Sequence, residues 1–269
     1  MHGRTNRREF IAGLVSAAAM ALAFVGPVRA QDLMRHLDLT SPDMTSAEMT
    51  RAEVETALAS HETDFTGKKL SGLDLSGLDL SGVQFRAARL NKTKLIGAKL
   101  DGAILNQAWL LDADLTRASL QNAQMLGAQM RGAKLDGANL AGARITADIS
   151  GGSLLRTILT GANLSADMKN QSMGLMRAVL RSANFSGADL RQADLSRADL
   201  EFATLTNANL TGASLRGALL GGANLTAVTV SEADFSGADL ASARLVNPIG
   251  LEAAKNFDQA INLDRLLRE

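Results

Sequence analysis

Ala188-Asp189-Leu190-Arg191-Gln192 and, twenty residues on, Ala208-Asn209-Leu210-Thr211-Gly212 share one layout: a small residue, a polar one, a large apolar one, and two more that suit water. Sampling every fifth residue from Phe65 to Ile145 returns 17 large apolar residues out of 17, and from Leu180 to Leu245 it returns 14 of 14. With 46% of the chain apolar, chance agreement over those positions is on the order of 10⁻¹⁰ by template counting. Two residues before each sampled position stands Ala in 24 of 31 cases, among them Ala98, Ala113, Ala138, Ala193 and Ala213.

A period of five is neither the 3.6 of a helix nor the 2 of a strand. A chain that makes a quarter turn every five residues accounts for it. The large residue then fills the middle of each side, and the Ala two before it fits the crowded space near the corner. The residues between and after them face water. Gly67, Gly72, Gly77, Gly82, Gly97 and Gly102 fall two after the large residue, at the corner, where a tight turn favours a residue without Cβ. Composition agrees with stacked identical units. Aromatic residues make up only 3% and Tyr is absent, so Leu and Ala supply the apolar mass, whereas irregular globular cores lean on large rings.

These units resemble the pentapeptide-repeat family, and the resemblance spans residues 61–247. It implies an all-β fold, a right-handed quadrilateral β-helix with four pentads per coil and about nine coils. Open sheet edges then exist only at the two ends, which need covers. Residues 31–60 are expected to form an N-terminal cap. Thr45 and Glu48 fit a capping box opening a helix over about 46–60, with Met49, Ala52, Val54, Ala57 and Leu58 on its apolar side. Pro248 ends the repeat, and 248–269 reads as a C-terminal cap, helical in part, with Leu263, Leu266 and Leu267 apolar. In some family members a C-terminal segment makes a dimer; a simple cap is the plainer reading.

The phase breaks over 146–179. Ile149, Leu154, Leu159 and Leu164 stand one residue out of step, and Met168 and Met173 follow after a further slip. Ile145 to Leu180 is 35 residues, which corresponds to seven units, so a bulge or loop must absorb the slips, near 148–152 and 167–174.

The first thirty residues read as an address. Asn6-Arg7-Arg8-Glu9-Phe10-Ile11 precedes an apolar run to Phe24, and Pro27-Val28-Arg29-Ala30 closes it. That is the order of a signal peptide, and the run is too short for a comfortable membrane span. Arg7-Arg8 with Phe10 resembles a twin-arginine export signal, although Asn6 and Ala12 depart from its usual residues. A general secretory signal and a retained anchor are the alternatives. Cleavage after Ala30 leaves a periplasmic or secreted product, attached to a membrane only if the signal is not removed.

Formal charge is balanced, 28 basic against 28 acidic, but outside residues 1–30 the count is 24 against 27. That weak negative charge gives no footprint for nucleic acid. With no Cys there is no disulfide framework and no thiolate metal site. No nucleophile–base pair, phosphate-binding loop or metal-ligand spacing stands out. His36 and His61 are the histidines beyond the signal, and the many Asp residues before the central Leu are outward residues of the repeat. No cofactor and no small-molecule substrate is implied, and the chain reads as a non-enzyme.

Three function classes follow. The first is an exported structural or interaction module that presents a rigid surface to an unknown protein partner or to itself. Trp109 and Leu111 flank inward Leu110, and Ile104 and Leu126 occupy outward positions on the adjacent side. Together they read as an exposed apolar patch, the candidate partner-binding site. The second is a DNA-mimicking topoisomerase inhibitor, as in the quinolone-resistance members of the family. An export signal opposes it. So do the outward stacks Asp189-Asn209-Thr229, Asp194-Ser214-Asp234 and Asp199-Leu219-Asp239, which form no acidic stripe. The third is a Met-rich periplasmic metal-binding protein, since thioethers bind Cu(I). Met168, Met173 and Met176 are its residues, but Met also fills irregular gaps.

Overall fold

In the computed structural model, the regular corners close by one hydrogen bond across the turn. The Ala98 N–H donates to the Leu95 oxygen at 3.0 Å, and the Ala193 N–H to that of Leu190 at 3.1 Å. The residue just before the donor is left-handed: φ is +63° at Gly97 and +58° at Gln192. That is the third position of a type II turn, which suits Gly. Arg117, Arg197, Phe202 and Glu232 are bent the same way, because the coils above and below over-determine the corner.

The structure describes residues 38–166 and 176–269. The export residues Arg7, Arg8, Phe10 and Ala30, and Met168 and Met173, lie outside the described residues. Leu39–Glu269 is one unit. Four corners make a coil, and each coil pairs in parallel with the next. Asp64 bridges Gln84, Gln84 bridges Ile104 and Ile104 bridges Gln124; this ladder is face 1. Lys69, Asp74 and Asp79 start the ladders of faces 2, 3 and 4. The bridges give nine full coils from Asp64 to Ile249. The interior is the Leu and Ala expected. Leu95, Leu115 and Leu135 are fully buried in one stack, with Ala113 and Ala133 beside them. Each such Leu contributes roughly 2 kcal/mol of burial. Two inward slots that hold Thr instead of Ala remain dry because their hydroxyls find carbonyls. Thr93 Oγ1 donates to the Leu70 oxygen and Thr157 Oγ1 to that of Leu135, both at 2.9 Å.

The phase break resolves into two unequal steps. The first is a four-residue side. The strand β1 (Gln124–Gln129) pairs with β2 (Arg144–Asp148), and two residues, Gly127 and Ala128, stand opposite Ala147 alone. Face 2 therefore continues from Gln129 to Asp148, and Ile149, Leu154, Leu159 and Leu164 all point inward. The second step runs from Leu164 to Leu180, which sit on consecutive sides sixteen residues apart, so Asn163 bridges Asp194 at a spacing of 31. The 35 residues thus span five sides, not seven units; an eleven-residue insertion replaces the expected small loops.

Both ends also depart from the sequence reading. The helix α1 spans Pro42–Thr45 and α2 spans Arg51–Ala59. The capping box belongs to Thr50 and Glu53, not to Thr45 and Glu48. Thr45 Oγ1 is engaged by the Ser41 oxygen. The Glu48 N–H donates to the Lys69 oxygen, and Ala47 bridges Leu70, so residues 46–49 are tied to the first coil as an edge and cannot be helical. α2 buries Val54 and Ala57 against the top of the core. At the other end, the segment after Ile249, the last side of the ninth coil, is helical only as short 3₁₀ turns and forms three sides of a tenth coil, with bridges at Lys255, Ile261 and Leu267. The spacing is six, because each side carries a single 3₁₀ turn: Leu251–Ala253, Phe257–Gln259 and Leu263–Arg265. Gly250, Asn256 and Asn262 open these turns in left-handed conformation. Phe257 covers Phe235 edge to face at 5.3 Å.

Candidate interaction surface

The outward Asp and Asn residues are mostly committed to the turns. Asp74, Asp79, Asp114, Asp194 and Asp239 each accept the backbone N–H two residues on, at 3.0 to 3.2 Å. This is the local bond that suits Asx to turns. The Ser76 and Ser81 turn bonds hold the Asp74 and Asp79 carboxyls below their ordinary value, with Lys94 and Lys99 adding to the effect. The stacks follow the bridges read from the sequence: Asp189 over Asn209 over Thr229, Asp194 over Ser214 over Asp234, and Asp199 over Leu219 over Asp239. Arg191 binds Asp189, Arg181 binds Asp199 and Arg216 binds Asp234, so one carboxylate in each of these ladders is neutralised by an arginine.

The four apolar residues singled out in the sequence sit on two adjoining faces. Ile104 and Trp109 occupy bridge positions of faces 1 and 2 in the third coil. Leu111 follows Trp109 on face 2, and Leu126 lies on face 1 one coil below. All four point outward; Leu126 is exposed, while the other three are half-buried. Leu111 has company that the sequence did not reveal. Leu39 lines the same shallow hollow as Leu111, Asp112 and Arg131. The segment that starts there climbs face 2: Asp43 binds Lys69 and Arg89, and the Met44 oxygen accepts from Ser71 Oγ at 2.9 Å and Asn91 Nδ2 at 3.0 Å. One edge of the patch is therefore occupied by the chain's own N-terminal segment.

Other outward apolar residues escaped the sequence reading. Phe202, at a corner with φ +60°, is 64% exposed. Its ring lies over Gly222, where a Cβ would stand 2.6 Å from Cδ1. Ile158, Ile249, Ile261 and Leu267 are exposed at bridge positions. Phe202 and Ile158 were legible from register alone. Ile261 and Leu267 were hidden by the change from five to six. Of the Met group, Met176 is half-buried.

Comparison with known proteins gives three kinds of result. The profile of pentapeptide repeats matches residues 69–107, 108–146, 175–212 and 218–247. No curated protein matches the chain. Among solved structures, HetL from the cyanobacterium Nostoc sp. strain PCC 7120, a pentapeptide-repeat protein involved in heterocyst differentiation regulation, is 30% identical. That match covers 81% of this chain and 99% of HetL, with a TM-score of 0.58. A second Nostoc pentapeptide-repeat protein, alr5209, is 33% identical over 37% of this chain and 81% of its own, with a TM-score of 0.35. QnrB1, a plasmid-mediated fluoroquinolone resistance protein, is 24% identical in a trypsin-treated form, over 75% of this chain and 89% of its own, with a TM-score of 0.33.

Proposed function

The chain belongs to the pentapeptide-repeat family, and we propose that it is an exported, non-catalytic interaction module whose outer wall docks a protein partner or a second copy. The observation that carries this reading is the corner formed by Ile104, Trp109 and Leu126. Beyond the N-terminal segment on face 2, nothing in the chain packs on this corner among the described residues, and the regular occupants of the wall are Asp, Asn, Ser and Thr bonded into turns. Three large apolar side chains at one corner keep apolar surface wet unless a partner covers them, and aromatic anchors often dominate such contacts. Involvement in regulation, as for HetL, accords with action through binding.

The test is Trp109→Ser combined with Leu126→Ser. Leu111 is left in place because Leu39 shares its hollow. The double variant should keep the melting point of the parent within about 2 °C, as expected for surface changes, and lose partner capture or self-association. A variant that folds and still binds as the parent does removes this corner from the reading. Export is tested separately: Arg7→Lys with Arg8→Lys should retain the chain in the cytoplasm, and normal export of that variant would exclude the twin-arginine route.

A further inference from the structure

We propose a second site, independent of the apolar corner: an anion site for a small phosphate or phosphomonoester, built from Arg177, Arg197 and Arg216. These three guanidinium groups, with Gly217 and Ser236, line an open hollow of about 450 Å³, within the range of small-molecule sites. They come together because the corner between faces 1 and 2 repeats once per coil. Arg177, Arg197 and Gly217 each directly precede the first inward Ala of face 2, namely Ala178, Ala198 and Ala218, so they stack in three successive coils. Arg216 is the neighbour of Gly217. Where Arg197 continues the stack, Gly217 has no side chain, and the Cγ of Arg197 lies 3.5 Å from where a Cβ would stand. The missing side chain opens the hollow and lets Arg197 lie along it.

The carboxylates nearby hold the arginines without filling the hollow. Asp199, only 2% exposed, accepts from Arg177 Nη2 at 3.2 Å and from Arg181 Nε at 2.8 Å. Asp234 accepts from Arg216 Nε at 2.6 Å and is further engaged by Ser236 and Asn256. Arg197 makes no ion pair among the described residues. A guanidinium has five N–H donors. Among the described residues, Arg177 and Arg216 each spend one on a carboxylate, and the side chain of Arg197 spends none. Two anchored cations and one free one around a single hollow make a fork for an oxyanion with several acceptor oxygens, and planar bidentate donors suit phosphate. The volume leaves room for a small organic group beyond the phosphate itself.

The experiment is isothermal titration of the purified full chain at low ionic strength, with inorganic phosphate in one arm and glycerol phosphate in the other. Saturable binding is expected in at least one arm; tighter binding of glycerol phosphate identifies a monoester as the natural form, and tighter binding of phosphate identifies the free ion. Arg197→Gln and, separately, Arg216→Gln should weaken binding at least tenfold while the melting point holds. Arg117→Gln removes the same charge from the diagonally opposite corner and should leave binding unchanged. Absence of saturable binding in both arms overturns the proposal. So does an equal loss in Arg117→Gln and Arg197→Gln, which would reduce the effect to net charge.

Discussion

Gly152→Ala gives the sharpest check on the packing because two arguments give opposite signs. Gly152 occupies the inward slot two before Leu154, the slot that holds Ala in most of the repeat. Repeat logic therefore says that Ala belongs there. Gly→Ala at a compatible site stabilises by about 0.4–1 kcal/mol, chiefly by restricting the unfolded chain. The structure says otherwise. A Cβ at 152 would stand 2.8 Å from Ile149 Cγ2, 3.0 Å from the Ile149 oxygen and 3.1 Å from the Ala133 oxygen. Two of the three obstacles are backbone, locked in the ladder by hydrogen bonds such as Ser153 N–H to the Ala133 oxygen at 3.0 Å. Overpacking of this kind costs about 1–3 kcal/mol, so after the offset a net loss of roughly 1–2 kcal/mol is expected. Equilibrium urea unfolding of parent and variant measures it. Ile149→Leu moves the branch away from Cβ and should recover part of the loss in the double variant, a non-additivity that only neighbours show. A variant as stable as the parent, or more so, would refute the local geometry after the four-residue side and with it the account of the phase break.

Two further outcomes follow from the core and from the turn carboxylates. Leu115→Ala should cost about 2–5 kcal/mol, because Leu115 is fully buried between Leu95 and Leu135. Asp114→Ala, one residue earlier, should cost only about 1 kcal/mol, for two bonds from Thr116 at 3.0 and 2.6 Å; equal losses in urea unfolding would sink the inside–outside assignment. The pH dependence comes from depressed carboxyls. Burial pushes Asp234 up, but bonds from Asn256, Ser236 and Arg216 outweigh it and hold the group far below its ordinary value of 3.8. Asp189 is lowered chiefly by its bond from Arg191. A folded value below the unfolded one means that the contribution is present above about pH 4 and is lost as pH falls through the folded value. Melting temperature should therefore be flat near neutrality and drop below about pH 4. Asp234→Asn should lower the plateau and shallow the drop, and an unchanged acid limb in that variant would show that Asp234 is not among the groups responsible.

The sequence reads well wherever one residue has one job. A central Leu and a preceding Ala face inward in every regular pentad, so period alone separates wall from core, and even the out-of-step Ile149, Leu154, Leu159 and Leu164 are found by re-phasing. Reading fails where two local rules fit the same letters. Thr45/Glu48 and Thr50/Glu53 both satisfy the capping-box pattern, and the choice is made by tertiary hydrogen bonds that tie Glu48 to Lys69. Met168 and Met173, five apart after a further slip, read as two more sides, whereas the side that follows Leu164 is that of Leu180. Leu251, Phe257 and Leu263 recur every six residues and are invisible to a five-residue sieve. The arginine hollow was illegible for the same reason. Arg197 and Arg216 can be placed from the repeat, but Arg177 joins them only if the insertion ends just before Ala178. In a solenoid the core repeats and so carries little that distinguishes one coil from another. What distinguishes them lies at corners and slips, where a residue type is not required by the fold. Trp109 at a bridge position, Phe202 at a left-handed corner and Arg197, without an ion pair among the described residues, above a glycine are each such departures. None of them is needed to close a coil, and a Phe held at positive φ in water is disfavoured on both counts. Residues that the fold neither requires nor rewards are the ones at which the proposed binding role is tested first.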